Sequence, residues 1–151
     1  MNYKNPITEQ ALELVEEIGL FLEKTGYLPS AARVYALLMI WKDPALHFDD
    51  IQKILNLSKG ATSKALHALT AIERVDMFTK PGIRKKYYRV KTFPGRDSSK
   101  NFLNYITKMK AYLMKIEAFK KDNDYAGVSL EDEIAFFDKL MDVFTQVLSE
   151  Q

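Results

Sequence analysis

The chain has 151 residues, 47% of them apolar and none of them cysteine. That is the size and composition of one globular domain, or of a small domain with a helical extension, and it excludes disulfides, thiolate zinc sites and zinc-finger folds. The formal charge of +2 is unevenly spread: twelve basic residues and three acids (Glu73, Asp76, Asp97) lie between Ile51 and Lys100, so this segment carries +9 and the remainder −7.

In chain order, Ile7, Ala11, Leu14, Ile18 and Phe21 recur at steps of four and three, which places them on one stripe of a helix from Pro6 to Lys24 with Asn5 as its start signal. Gly26 and Pro29 interrupt the pattern. Ser30 is then expected to cap a more buried helix built on Ala31, Val34, Tyr35, Leu37 and Leu38, which reaches about Trp41 and ends at Lys42-Asp43-Pro44. Leu46-His47-Phe48 suits a very short strand. Asp49 and Asp50 then open a helix whose buried face is Ile51, Ile54 and Leu55, since carboxylates are favoured at a helix start. Asn56-Leu57-Ser58 forms a compact turn, with Ser58 capping the next helix, whose Thr62, Ala65, Leu66, Leu69 and Ile72 share one face. Two short helices joined so tightly make a helix-turn-helix.

Beyond Arg74 the periodicity changes to that of strands. Val75 to Thr79 leads through Lys80-Pro81-Gly82-Ile83-Arg84 into Lys85 to Val90, and Pro-Gly between β-rich runs predicts a hairpin. A helix-turn-helix followed by such a hairpin is the element order of a winged helix. After the Phe93-Pro94-Gly95 break, Phe102, Ile106, Met109, Leu113 and Ile116 step by four and three, and so do Ile134, Phe137, Met141, Phe144 and Leu148. These are narrow seams of the coiled-coil kind. The polar stretch Lys120 to Gly127 is the expected interhelical loop, and Ser129 with Asp132 has the spacing of a capping box. The fold class is therefore mainly α with a small β-hairpin wing (α+β), divided as 1–26, 27–93 and 97–151. No apolar run approaches the roughly 20 residues of a membrane-spanning helix, and the start at Met1 lacks the apolar core of a secretory signal. A soluble cytoplasmic protein without a membrane partner is expected.

Charge gathered on one segment is the footprint of a phosphate binder. A wheel with Thr62 and Leu69 inward turns Gly60, Lys64, His67 and Ala71 outward, with Ser63 at the margin. Such a small, basic face fits the ~12 Å major groove of DNA, where Lys59 or Lys64 can reach guanine acceptors or phosphates and Ser63 either. In the wing, Arg84 suits an adjacent minor groove and Lys80, Lys85 and Lys86 suit phosphates. The plain alternatives are a solvated helix face and an edge strand protected by charge. Tyr87 and Tyr88 are adjacent in a strand and must point to opposite faces, so at least one is expected in the core.

Gly26-Tyr27-Leu28-Pro29-Ser30-Ala31-Ala32-Arg33-Val34-Tyr35, Asp50-Ile51, Leu57-Ser58-Lys59-Gly60-Ala61-Thr62-Ser63-Lys64-Ala65-Leu66 and Lys80-Pro81-Gly82-Ile83-Arg84-Lys85-Lys86-Tyr87-Tyr88 resemble the GbsR/MarR-like winged-helix transcriptional regulators over roughly Gly19 to Val90. The resemblance implies a homodimer on double-stranded operator DNA, expected to repress, with Ser58, Lys59, Gly60, Ser63, Lys64 and His67 on the recognition helix and Arg84 in the wing. Many such wings carry an aspartate two residues before the arginine, where this chain has Gly82. Dimer contacts are expected from Ile7, Ala11, Leu14 and Ile18, from Phe102, Ile106, Met109 and Leu113, and from Ile134, Phe137, Met141, Phe144 and Leu148.

Some members of the GbsR-like branch of that family respond to quaternary ammonium effectors, which need an aromatic cage. Tyr35, Trp41 and Tyr105 are the residues best placed in sequence for one, with Tyr27, Phe102 and Tyr112 beside them, although aromatics at helical spacing more commonly fill a core or interface. Neither His47 nor His67 has a nucleophile or carboxylate at catalytic spacing, so no enzyme, metal site or cofactor is expected. The rival function is a winged helix used for protein–protein assembly, whose affinity would lack the steep salt dependence of a duplex binder.

Overall fold

The computed structural model describes residues 7–91 and 95–150, the side chains of 95–98 excepted. Contacts divide the chain into two compact units, Met1–Thr92 and Phe93–Gln151. The first contains α1 (Glu9–Lys24), α2 (Pro29–Ile40), β1 (Leu46–His47), α3 (Phe48–Ile54), α4 (Lys59–Ala71), β2 (Val75–Lys80) and β3 (Ile83–Val90); the second contains α5 (Gly95–Asp122) and α6 (Glu131–Ser149). The mainly helical architecture with a hairpin is the expected one. The short strand joins that hairpin to make an antiparallel sheet of order β1-β3-β2.

Local chemistry explains the element boundaries. The start expected at Asn5 and Pro6 lies outside the described residues, as do Phe93 and Pro94; α1 begins at Glu9 because the Thr8 hydroxyl accepts from the Ala11 N–H at 3.2 Å. It ends where the Gly26 N–H donates to the Glu23 carbonyl and the Tyr27 N–H to the Leu22 carbonyl, a closure that needs Gly26 at φ +100°. The same paired closure ends α3 at Asn56 and α4 at Glu73, both at positive φ. Ser30 does not cap α2: the cap position is Leu28, two residues earlier, and Pro29 opens the first turn, where a missing N–H costs nothing. Asp49 and Asp50 occupy the first turn of α3 as expected, but the cap is His47, whose Nδ1 accepts from the Asp49 N–H at 3.2 Å. Ser58 caps α4, its hydroxyl accepting from the Ala61 N–H at 3.1 Å.

The core of the first unit forms around α2, where Ala31, Ala32, Val34, Ala36, Leu37 and Leu38 are buried. Val15 of α1, Leu46 of β1, Ile51 of α3, Ala65, Leu66 and Leu69 of α4, Val75 of β2 and Tyr88 of β3 complete the apolar cluster. Thr62 is fully buried on the same face of α4, its hydroxyl donating to the Ser58 carbonyl at 3.0 Å. Ile72, expected on that face, is 54% exposed, because α4 stops at Ala71 and the chain turns away. Ile7 and Ile18 pack against this core, which gives two residues of the expected dimer seam a role within the chain.

In the second unit α5 and α6 run antiparallel. Phe102 meets Phe144 at a ring separation of 4.8 Å, Lys110 pairs with Asp138, and Glu117 accepts from the Leu130 N–H at 2.8 Å. The two seams thus face each other inside one chain, with Met109, Leu113, Ile134, Phe137, Met141, Phe144 and Leu148 half-buried. Helix α5 extends through Asp122, past the expected start of the loop. The capping box at Ser129 does not form: α6 is preceded by Leu130, and the Ser129 hydroxyl reaches only the Glu131 N–H, at 3.4 Å.

Candidate nucleic-acid interface

Helix α4 has one face in the core and one in solvent. Opposite Thr62, Ala65, Leu66 and Leu69, the residues Lys59, Gly60, Ser63, Lys64, His67 and Ala71 form a continuous exposed strip. A Cβ on Gly60 would meet nothing within 4 Å, so the strip is open to close approach there. Ser58 is exposed too, but its hydroxyl oxygen is engaged in capping, and its contribution is to start the helix that carries the other side chains.

The wing turns on Pro81 and Gly82. Gly82 sits at φ +75°, a conformation that suits glycine after proline in a type II turn. That turn does not match the twist of a regular two-residue hairpin, and the pairing register shifts between Thr79 and Lys80. Lys80, Arg84, Lys85 and Lys86 are all exposed around it. Alternation in the regular part of the ladder puts Lys86 on the Tyr88 face of β3, whereas Arg84 and Lys85 fall within the register shift and have no partner on β2. Tyr88 belongs to the core, and burial pushes its phenol pKa up. Among the described residues Lys59, Lys64, Arg84, Lys85 and Lys86 form no ion pair with a carboxylate, so their charges are uncompensated.

The Tyr87 face holds an arrangement that sequence periodicity alone did not disclose. His47, Tyr87 and Phe78 are register neighbours on β1, β3 and β2. The Tyr87 ring takes His47 edge-on at 5.5 Å and stacks on Phe78 at 5.9 Å. The Lys80 ammonium stands 4.4 Å above Tyr87 and the Arg89 guanidinium 5.1 Å above Phe78, while Arg89 also pairs with Asp76 at 3.8 Å. Alternation could have put these side chains on one face, but the three-strand register was needed to put them side by side.

Of the cage aromatics, Tyr35 stacks on Tyr27 with centroids 5.9 Å apart and rings parallel to 2°, and Trp41 packs against the core of the first unit. Tyr105 lies on α5 against Phe102 at 6.4 Å. Among the described residues no group of three or more His, Cys, Asp or Glu side chains is placed to hold a metal ion. No helix among them is long and apolar enough to cross a membrane.

A helix-turn-helix whose second helix exposes a cationic strip, followed by a cationic hairpin, defines a winged helix-turn-helix. A crystal structure of a transcriptional regulator has this fold: it is 14% identical, superposes with a TM-score of 0.71, and the match covers 93% of this chain and 97% of that one. Two crystal structures of the adhesin competence repressor AdcR from Streptococcus pyogenes are 21% and 19% identical, cover 90% and 94% of this chain and 92% and 98% of theirs, and give TM-scores of 0.42 and 0.40. No protein-family model and no curated protein matches the sequence.

Proposed function

We propose that this chain is a transcriptional regulator of the GbsR/MarR-like kind that binds double-stranded DNA sequence-specifically, as a homodimer, and represses. The observation that carries the reading is the uncompensated cationic surface of Lys59, Lys64, Arg84, Lys85 and Lys86 on a reading helix and its wing. Uncompensated lysines and arginines are what phosphate binding requires, because each contact displaces condensed counterions from the duplex. The similarity of fold to a transcriptional regulator supports the same reading.

Homodimerisation is supported by apolar surface left uncovered within each unit: Leu14, Leu20 and Phe21 on α1, and Tyr112, Phe136 and Val143 on α5 and α6, are each more than 40% exposed. A second copy would cover them and set two α4 helices about one DNA turn, ~34 Å, apart. Fluorescence anisotropy of labelled duplex DNA across a salt series tests the reading. Affinity should fall linearly with salt on a double-logarithmic plot, with a slope of about −0.9 per phosphate contacted. A salt-insensitive or absent interaction would leave the surface to a protein partner.

A further inference from the structure

We propose that Tyr87 is a positioning residue of the wing, holding the Lys80 ammonium over its ring and tying it, through His47, to the start of the helix-turn-helix. The inference rests on the duplex-binding reading and names a residue through which that surface would work. His47 occupies both ends of the link. Its backbone is paired with Tyr87 in the sheet, its ring lies edge-on to the Tyr87 ring at 5.5 Å, and its Nδ1 caps α3. Lys80, at the base of the Pro81-Gly82 turn, lies diagonally across from Tyr87 with Nζ 4.4 Å from the ring centroid.

The kind of contact matters. A lysine held by a carboxylate is neutralised, as Arg89 is partly by Asp76. A lysine held on an aromatic face is oriented by the ring quadrupole and keeps its whole charge for a phosphate. Orientation before binding lowers the entropic cost of fixing a long, flexible stem. Phe78, stacked behind Tyr87 at 5.9 Å, stiffens the orienting ring.

The test is a double-mutant cycle on the full chain, with duplex affinity measured across a salt series for Tyr87→Leu, Tyr87→Phe, Lys80→Gln and Tyr87→Leu with Lys80→Gln. Lys80→Gln should lower the salt slope by about 0.9, the value of one phosphate contact. Tyr87→Leu should weaken binding, Tyr87→Phe should not, and the Tyr87→Leu loss should disappear when Lys80 is already Gln. A purely structural role would weaken both backgrounds equally, and such additivity overturns the inference. Should Tyr87→Leu fail to fold, proton NMR of the wild type decides: Lys80 ε-methylene protons shifted upfield by the ring support the hold, and protons coincident with those of other lysines overturn it. A wild type that binds no duplex fails the underlying reading and takes this inference with it, whereas additive losses in a duplex-binding wild type sink this inference alone.

Discussion

Arg33 of α2 grips Glu16 of α1 through two nitrogens, Nε to Oε2 at 2.9 Å and Nη2 to Oε1 at 2.6 Å. The same guanidinium donates to Glu23 and to the Pro29 carbonyl, so one side chain fastens α1 to the central helix of the first unit. Room for it is made by Gly19, where a Cβ would stand 3.0 Å from the Arg33 Cγ. Arg33→Ala should lower unfolding stability by about 1 kcal/mol, the upper end for pairs in contact with solvent. Gly19→Ala should destabilise the wild type, because a pinned Arg33 cannot withdraw, yet stabilise the Arg33→Ala background through helix propensity. Urea denaturation of the four proteins checks both signs.

The clamp also predicts an acid dependence. Hydrogen bonding from Arg33 holds the Glu16 carboxyl below its ordinary value of 4.5. A depressed carboxylate contributes stability above its unfolded pKa and loses that contribution as pH falls through the folded one. The stability difference between wild type and Arg33→Ala should therefore be largest near neutrality and shrink below pH 4.5. Because Glu16 is half exposed, salt should shrink it too.

Lys64 and Arg84 should fail in different ways. Lys64→Ala removes a cation from the middle of the reading strip, and should cost about 1–3 kcal/mol on the preferred sequence with some loss of preference. Arg84→Ala removes an uncompensated wing cation and should weaken duplexes more evenly, lowering the salt slope by about 1. Paired titrations on preferred and scrambled duplexes separate the two. Unchanged binding in both variants would remove the surface as the site.

Two backbone positions test the scaffold beneath that surface. Ser58→Ala should destabilise by about 1 kcal/mol through loss of the α4 cap. Gly82→Ala meets no steric obstacle but must adopt φ +75°, which strains any L side chain, so the cost should stay local to the wing. Amide hydrogen exchange should then quicken in β2 and β3 while the α2 core keeps its protection.

Much of this architecture could be read from local signals. Ser58, the Asn56 turn and Pro81-Gly82 act within a few residues, and their chemistry determines the turn whatever surrounds it. The strip on α4 was legible for the same reason, since 3.6-residue periodicity separates Thr62 from Lys64 without knowledge of the partner helix. What escaped depends on distant pairing. Arg33 and Glu16 are 17 residues apart, and the row of His47, Tyr87 and Phe78 exists only once β1 has paired with β3. The C-terminal seams show a different ambiguity: a heptad stripe announces that it will be covered but not by what, and α5 and α6 cover each other. Asp49 and Asp50 stand in the first turn of α3 where helix-start chemistry puts them, but the cap in front of them, the His47 ring nitrogen, gave no such local signal.

Selection of bound sequences from a pool of random duplex DNA tests the central claim most directly. A homodimer presenting two α4 helices and two wings should enrich an inverted repeat with half-sites one helical turn, about 10–10.5 base pairs, apart. Recovery of a pool as random as the input, at salt low enough for any basic protein to bind, would contradict sequence-specific recognition by this surface.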